Sequence, residues 1–161
     1  MTITTTRRAS PEDAATLARM RYAFRAAQDA PIEPIDVFVD RCELWMANRL
    51  REGRWHCWVA EQDRRIIGNL WLHLIEKIPN PVDEPETHAY ISNLYVEEPL
   101  RGQGTGASLL ETALAFCRER NVDNVILWPT AKSRSLYARH GFVEPEGLLV
   151  LEPSRKSKVE S

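Results

Sequence analysis

The chain has 161 residues, which is the usual size of one domain. Hydrophobic residues make up 43% and charged residues 27%, an ordinary globular composition that excludes general disorder, a collagen-like repeat and a disulfide scaffold. Lys and Arg number 21 against 23 Asp and Glu. We expect no nucleic-acid partner, because proteins that bind duplex DNA usually carry a basic excess.

The three cysteines are widely spaced, no C-x-x-C pair occurs and the four histidines are scattered. We therefore expect neither a disulfide framework nor a metal site. The N-terminus lacks the apolar stretch of a signal peptide, and no apolar run approaches the ~20 residues that span a bilayer. The expectation is a cytoplasmic protein without a membrane partner. It would consist of one domain over residues 1–151 and a frayed, charged tail over residues 152–161.

The first third of the chain predicts one strand and two helices. Residues 3–8 are β-branched and alternate weakly, which favours a strand. Ser10 and Pro11 suit the cap and first turn of a helix. A second helix is predicted over residues 36–51, because apolar side chains recur along one side, and Gly53 is expected to end it.

The middle of the chain predicts strands. An antiparallel hairpin is expected over residues 55–61 and 65–77, and Gly68 within it indicates a bulge or a close backbone approach. Residues 78–87 contain three prolines and are predicted to form a loop. A third strong strand follows over residues 88–96.

The last third alternates helices and strands. Helices are predicted over residues 107–120 and 133–140, and strands over the three ranges 123–128, 142–143 and 148–151. Two parallel strands joined by the first of these helices would form a right-handed unit. The fold class is therefore α+β: a mixed, mostly antiparallel sheet of about seven strands, with a parallel β-α-β cofactor unit and flanking helices.

The segment Arg101-Gly102-Gln103-Gly104-Thr105-Gly106 lies between a predicted strand and a predicted helix. Successive backbone N–H groups at such a turn favour an anion, so a phosphate or pyrophosphate is one interpretation. The G-x-G-x-G spacing fits neither the dinucleotide fingerprint nor the P-loop. A glycine-rich turn without a ligand is the other interpretation.

Two motifs make the chain resemble one family. Leu94-Tyr95-Val96, Pro99 and Arg101-x-x-Gly104-x-Gly106 resemble the acetyl-CoA signature of the GNAT superfamily of N-acetyltransferases, and residues 134–142 look like its R-x-L-Y-x-x-x-G-F segment. The resemblance implies direct transfer of an acetyl group from acetyl-CoA to a primary amine. It also implies the following cofactor-binding residues: Leu94, Tyr95, Val96, Arg101, Gly102, Gln103, Gly104, Thr105, Gly106, Thr130, Ser133, Ser135 and Tyr137.

The resemblance also implies catalytic roles, with two departures. Tyr137 matches the tyrosine that protonates the leaving thiolate, and a backbone N–H at a bulge near Leu94 and Tyr95 would stabilise the oxyanion. Many relatives carry Glu where this chain has Ile91, so the base is sought among the residues His88, Tyr90, Ser92 and Glu76. Many relatives also carry Asn at the position of Thr130. A hydroxyl of Thr130, Ser133 or Ser135 would replace that amide.

The acceptor is expected across the sheet from the cofactor, between the first two helices and the loop at residues 76–87. The candidates in that region are Arg21, Tyr22, Phe24, Arg25, Trp71, His73, Tyr90 and, in the acidic loop, Glu76. Aromatic and acidic groups there suit a cationic amine of a small molecule or a peptide, although core packing or a solvated loop explains the same residues. Relatives often dimerise, so a homodimer is possible.

Two other functional classes remain open from the sequence. The missing glutamate is compatible with a non-catalytic acyl-CoA-binding regulatory module, in which the cofactor turn is intact but no acceptor is acetylated. A generic α+β domain without a nucleotide is the third reading. Tyr137 favours the enzyme over the module.

Overall fold

A computed structural model describes residues 2–154. These residues fall into two compact units, one ending at Trp128 and one beginning at Pro129. The single domain over residues 1–151 stays a prediction. Of the predicted tail, residues 152–154 form no helix or strand, and residues 155–161 lie outside the described part of the chain.

The first unit contains five strands and three α-helices. In chain order they are β1 (Thr4–Arg8), α1 (Ala14–Ala26), α2 (Ile35–Glu52), β2 (Trp55–Gln62), β3 (Arg65–Glu76), β4 (Thr87–Val96), α3 (Thr105–Glu119) and β5 (Val125–Ile126). Single 3-10 turns over Pro11–Asp13 and Glu98–Leu100 precede α1 and α3. The second unit contains α4 (Arg134–Arg139).

The helix ends follow their predicted signals. Ser10 and Asp13 form a capping box at the 3-10 turn that leads into α1, in which the Asp13 carboxylate accepts the Ser10 backbone N–H at 2.8 Å. Gly53 ends α2 at a φ of 82°, a left-handed conformation that a side chain disfavours. Local sequence therefore sets where these helices begin and stop.

The sheet has the order β1-β2-β3-β4-β5, antiparallel except for the parallel β4–β5 pair. The expectation of about seven strands is wrong. Residues 142–143 and 148–151 form no strand, and Leu149 is 96% exposed. Their apolar, β-branched character expresses a strand propensity, but a strand forms only where a partner strand supplies hydrogen bonds. The strand predicted over residues 123–128 is likewise reduced to Val125–Ile126.

The two faces of the sheet carry different helices. On one face, α1 and α2 enclose a core that includes Leu17, Met46, Val59 and Trp71. On the other face, the Phe116 ring of α3 packs edge-on against Trp58, 5.2 Å between centroids. We call the side covered by α1 and α2 the α1 face of the sheet.

Gly68 marks a close approach, as predicted. A Cβ at this position would lie 2.8 Å from the Tyr95 carbonyl oxygen of the neighbouring strand. The β2–β3 register also shifts beside it, where Ala60 pairs with Gly68 but Glu61 pairs with Ile66. Only glycine allows β3 and β4 to approach so closely here.

Candidate active site

A bulge interrupts β4 in its middle. Trp71 pairs with Asn93 and the next residue of β3, Leu72, pairs with Ile91, so Ser92 is the extra residue. A bulge frees backbone groups from the ladder and re-aims them. The sequence placed this feature near Leu94 and Tyr95; the register puts it earlier on the strand. The Glu position of many relatives, Ile91, is buried.

The end of β4 is open on the side of β5. The parallel pairing consists of Ala89 with Val125 and Tyr90 with Ile126, whereas β4 continues to Val96. Residues 91–96 therefore have no strand partner on that edge among residues 2–154. Such an edge offers backbone donors and acceptors to an extended ligand.

The glycine turn, residues 101–106, lies directly before the body of α3. Gly102 and Gly104 have φ angles of +79° and +85°, and a Cβ at either position would meet nothing within 4 Å. The first N–H groups of a helix have no intrahelical partner and carry the positive end of its dipole. The turn thus presents bare backbone donors to open space, the arrangement that binds a pyrophosphate.

Arg101 holds this turn against the end of β4. Its Nε donates to the Val96 carbonyl at 2.7 Å, and its guanidinium lies over the Tyr95 ring, 5.6 Å from the centroid. Three predicted cofactor residues, Tyr95, Val96 and Arg101, are therefore in contact. Arg101 acts here on the protein itself, as a tie between strand and turn.

The second unit carries the other predicted cofactor residues. The Thr130 hydroxyl donates to Ser133 Oγ at 2.9 Å, while Ser135 is exposed. Tyr137 is buried with its ring 5.4 Å from that of Phe142. Burial raises the pKa of Tyr137 to about 12. A phenol is protonated at neutral pH even at its ordinary pKa of about 10, and burial reinforces that state.

The candidate bases lie at different distances from the bulge. At about 3.3 Å per strand residue, Tyr90 is about 7 Å from Ser92 along β4 and His88 about 13 Å. His88 Nδ1 is buried without a hydrogen bond and lies 3.9 Å from an Asp123 carboxylate oxygen. Glu76 lies farther away, opposite Thr87, and pairs with Arg54 at 3.2 Å. Ser92 is the bulge residue itself, and Tyr90 is the nearest of the other candidates.

Of the two predicted acceptor residues in the middle of β3, Trp71 lies in the core and His73 lies beside a candidate base. Trp71 is 3% exposed and packs against Trp45 and Trp55, so it belongs to the core. His73 stacks on Trp55 at 4.4 Å between ring centroids and lies opposite Tyr90. Burial, and then the charge of Arg54, lower the pKa of His73.

The α1 residues Tyr22 and Phe24 are also held by neighbours. The Tyr22 hydroxyl donates to the Glu33 carbonyl at 3.0 Å. The Phe24 ring meets that of Tyr95 edge-on, with 5.6 Å between centroids. Phe24 therefore lies beside the end of β4, whereas Tyr22 points to the loop between α1 and α2.

Sequence reasoning missed a polar network on the α1 face. Arg21 Nη1 donates to Asn93 Oδ1 at 3.2 Å, and Asn93 Nδ2 donates to Asn69 Oδ1 at 2.8 Å. The two asparagines are 8% and 1% exposed. The available signal was an asparagine in the middle of each of two strands, Asn69 between apolar neighbours of β3 and Asn93 in β4, since buried polar residues are uncommon and need partners.

Two searches of residues 2–154 bear on other kinds of site. No group of three or more His, Cys, Asp or Glu side chains in this part of the chain has a metal-binding arrangement. No helix within it is long and apolar enough to cross a membrane.

Comparison with known proteins defines the class. The model of the acetyltransferase (GNAT) family matches residues 18–142, most of the chain and all of the features described above from α1 to Phe142. The chain belongs to this family, whose members are acetyl-CoA-dependent acetyltransferases.

Individual relatives agree with this assignment. An uncharacterized N-acetyltransferase of Archaeoglobus fulgidus is 31% identical over 110 residues, 63% of this chain and 67% of that protein. The chain spans 29% to 67% of the length of the curated relatives that it matches.

Solved structures share the fold. A GCN5-related N-acetyltransferase from Ralstonia eutropha JMP134 is 28% identical with a TM-score of 0.77, over 93% of this chain and 99% of that one. A predicted acetyltransferase from Clostridium acetobutylicum, solved with acetyl-CoA, has a TM-score of 0.76 at 24% identity, over 93% and 96% of the two chains.

Proposed function

We propose that the protein transfers the acetyl group of acetyl-CoA directly to a primary amine of a small molecule or a peptide. The observation that carries the proposal is the open backbone at the end of β4 next to the left-handed glycine turn. These two features coincide with the residues that match the family signature, Leu94–Val96 and Arg101–Gly106.

Cofactor binding would rest mainly on backbone groups. The glycine turn would take the pyrophosphate on its N–H groups, since the helix dipole of α3 favours negative charge there. The edge formed by Leu94 and Val96 would pair with the amides of the pantetheine arm. In the second unit, Thr130 and Ser133 are the proposed hydroxyl contacts.

The chemical step would form one bond and break another. The amine nitrogen attacks the thioester carbonyl carbon, a C–N bond forms and the C–S bond breaks. A backbone N–H freed by the bulge at Ser92 would stabilise the charge on the carbonyl oxygen, a contribution of a few kcal/mol. Tyr137, protonated at neutral pH, would give its proton to the leaving sulfur, and the proton that the nitrogen loses as the amide forms would return through water to the phenolate.

The amine must first lose a proton. An alkylamine with a pKa near 10.4 is mostly charged at pH 7, so a relay to solvent is needed. After Ser92 itself, Tyr90 is the nearest candidate on β4, and His88 continues the same face toward Asp123. We propose that they pass the proton through water. Glu76 is a poor base here because Arg54 already pairs with it.

The test is thiol release from acetyl-CoA against a panel of amines, with acetyl-CoA affinity measured by calorimetry. Tyr137→Phe is expected to lower kcat by roughly 10²–10⁴-fold, the usual contribution of a general acid, with little change in acetyl-CoA affinity. Unchanged turnover would remove Tyr137 from the mechanism. Tight binding without transfer to any amine would instead favour an acyl-CoA-binding module.

The proton relay needs its own measurement. Profiles of kcat/KM against pH for Tyr90→Phe and His88→Ala are expected to lie below that of the wild type, most strongly for Tyr90→Phe, because the relay to solvent is interrupted. If neither variant changes the profile, water alone accepts the proton.

A further inference from the structure

Arg21 is a half-buried cation without a counter-ion. It projects from α1, and among residues 2–154 no carboxylate forms an ion pair with it. Burial, and then the charge of Arg25, lower its pKa. Six of the thirteen other arginines of the first unit pair with carboxylates: Arg7, Arg25, Arg41, Arg49, Arg54 and Arg65. Partial burial of an unpaired charge is costly, so Arg21 requires an explanation.

Buried amides hold this guanidinium in place. Asn93 Nδ2 donates to Asn69, and this hydrogen bond orients the Asn93 Oδ1 toward Arg21. Asn69 Nδ2 in turn donates to Met20 Sδ at 3.5 Å. A guanidinium has five N–H donors, and Asn93 Oδ1 takes one of them. The Phe24 ring lies 6.0 Å away. A positioned guanidinium with donors to spare is suited to a planar, two-oxygen anion.

The location connects this group to the proposed reaction. Asn93 directly follows Ser92, the bulge residue, and lies opposite Trp71. The Trp71 Nε1 is itself buried without an acceptor. The α1 face beside the bulge therefore has a surplus of hydrogen-bond donors, which favours an anionic ligand.

The acidic loop does not offset this charge. Glu76 pairs with Arg54, and Lys77 pairs with both Glu84 and Asp123. Within residues 2–154, none of the loop carboxylates forms an ion pair with Arg21.

We propose that Arg21 binds a carboxylate of the acceptor, so that the preferred substrates are amines that also carry a carboxylate, such as α-amino acids. This inference rests on the proposed acetyl transfer. A carboxylate would complete the Arg21 guanidinium with two charge-assisted hydrogen bonds while the amine faces the bulge.

The test compares acids with matched amines that lack the carboxylate: phenylalanine with phenethylamine, and leucine with isopentylamine. The wild type is expected to prefer the acids by at least about tenfold in kcat/KM, since a charged hydrogen bond contributes about 1.5–3 kcal/mol. Arg21→Gln is expected to bring the ratio of acid to amine down by about that factor. Because the variant leaves the basicity of each amine unaltered, this change of ratio isolates the carboxylate contact.

Two further variants separate binding from folding. Arg19→Gln removes an exposed arginine of the same helix and is expected to keep the wild-type ratio. Asn93→Asp gives Arg21 an internal carboxylate and is expected to lower the ratio. An unaltered ratio in both Arg21→Gln and Asn93→Asp would overturn the inference. So would an equal loss toward acids and amines.

A binding measurement keeps the inference distinct from the activity. Calorimetry of N-acetylphenylalanine with the CoA-bound protein is expected to show binding that Arg21→Gln weakens at least about tenfold. If no amine is acetylated but this binding is present, the proposed function fails and the carboxylate site stands. If amines are acetylated without preference and the acid does not bind, the carboxylate site fails alone. A dipeptide distinguishes a free amino acid from a peptide end.

Discussion

The glycine turn at residues 101–106 and the α1 face of the sheet offer a ligand two different kinds of group. The turn offers main-chain N–H groups, made accessible by Gly102 and Gly104 in left-handed conformations. The α1 face offers side chains, with Arg21 held by Asn93 as its most distinctive group. A main-chain turn recognises a ligand shared by a whole family, whereas side chains can change from one member to the next without disturbing it.

The largest effect is expected where a side chain intrudes on the turn. In Gly104→Ala, the methyl group meets no protein atom within 4 Å but occupies the space that a pyrophosphate would approach. The left-handed conformation costs the folded state about 1–2 kcal/mol. Affinity for acetyl-CoA is expected to fall by about tenfold to a hundredfold, measured by calorimetry beside urea unfolding.

Gly53→Ala is the matched control for that variant. Gly53 has almost the same backbone conformation, with φ and ψ of 82° and 0° against 85° and 2° at Gly104, and it too has free space around it. Both variants should lose similar stability, and only Gly104→Ala should lose acetyl-CoA. Equal affinity losses would mean that the turn does not touch the cofactor.

The same contrast explains what the sequence could predict. Gly102 and Gly104 stand where the backbone needs φ values that other residues avoid, so a short segment of sequence is enough to predict the turn. The order of strands and helices through β5 follows from local patterns as well. A backbone-built site is therefore largely encoded within a dozen neighbouring residues.

The α1 face could not be predicted in this way, because its contacts join distant parts of the chain. Arg21 and Asn93 are 72 residues apart, and Asn69 comes from a third element. The bulge at Ser92 arises from the register of β3 on β4, which no local pattern fixes. Likewise, residues 148–151 have the composition of a strand but form none.

A smaller effect is expected when the turn loses its tie to β4. Arg101→Gln removes the 2.7 Å hydrogen bond to the Val96 carbonyl and the contact with the Tyr95 ring. Because the backbone donors remain, we expect only about a threefold to tenfold loss of acetyl-CoA affinity, about 1 kcal/mol. An unchanged affinity would show that the turn keeps its shape alone, and a hundredfold loss would show that Arg101 contacts the cofactor directly.

Acidification is expected to affect the α1 face rather than the turn. Burial lowers the pKa of His73 below its usual value of 6.5, so the side chain is neutral at pH 7 and gains a proton only in more acidic solution. His73 lies opposite Tyr90, beside the proposed proton relay. The charge would then repel an ammonium group. The KM for the amine, relative to that of His73→Gln, should rise a few-fold below pH 6. The KM for acetyl-CoA should show no such difference; if it does, His73 acts on both substrates.

The smallest effect is expected at Glu76, the acidic residue that the sequence predicts for the acceptor region. Its partner Arg54 and Glu76 itself have side chains 65% and 75% exposed, and such surface pairs contribute little to stability. Glu76→Gln should change stability by less than about 0.5 kcal/mol and amine KM by less than about twofold. A loss of turnover above about 100-fold, by contrast, would make Glu76 the general base despite its ion pair. The acceptor amine would then lie toward the end of β3, away from Arg21. The contrast between a cofactor turn built from backbone groups and an α1 face that binds a carboxylate would then no longer hold.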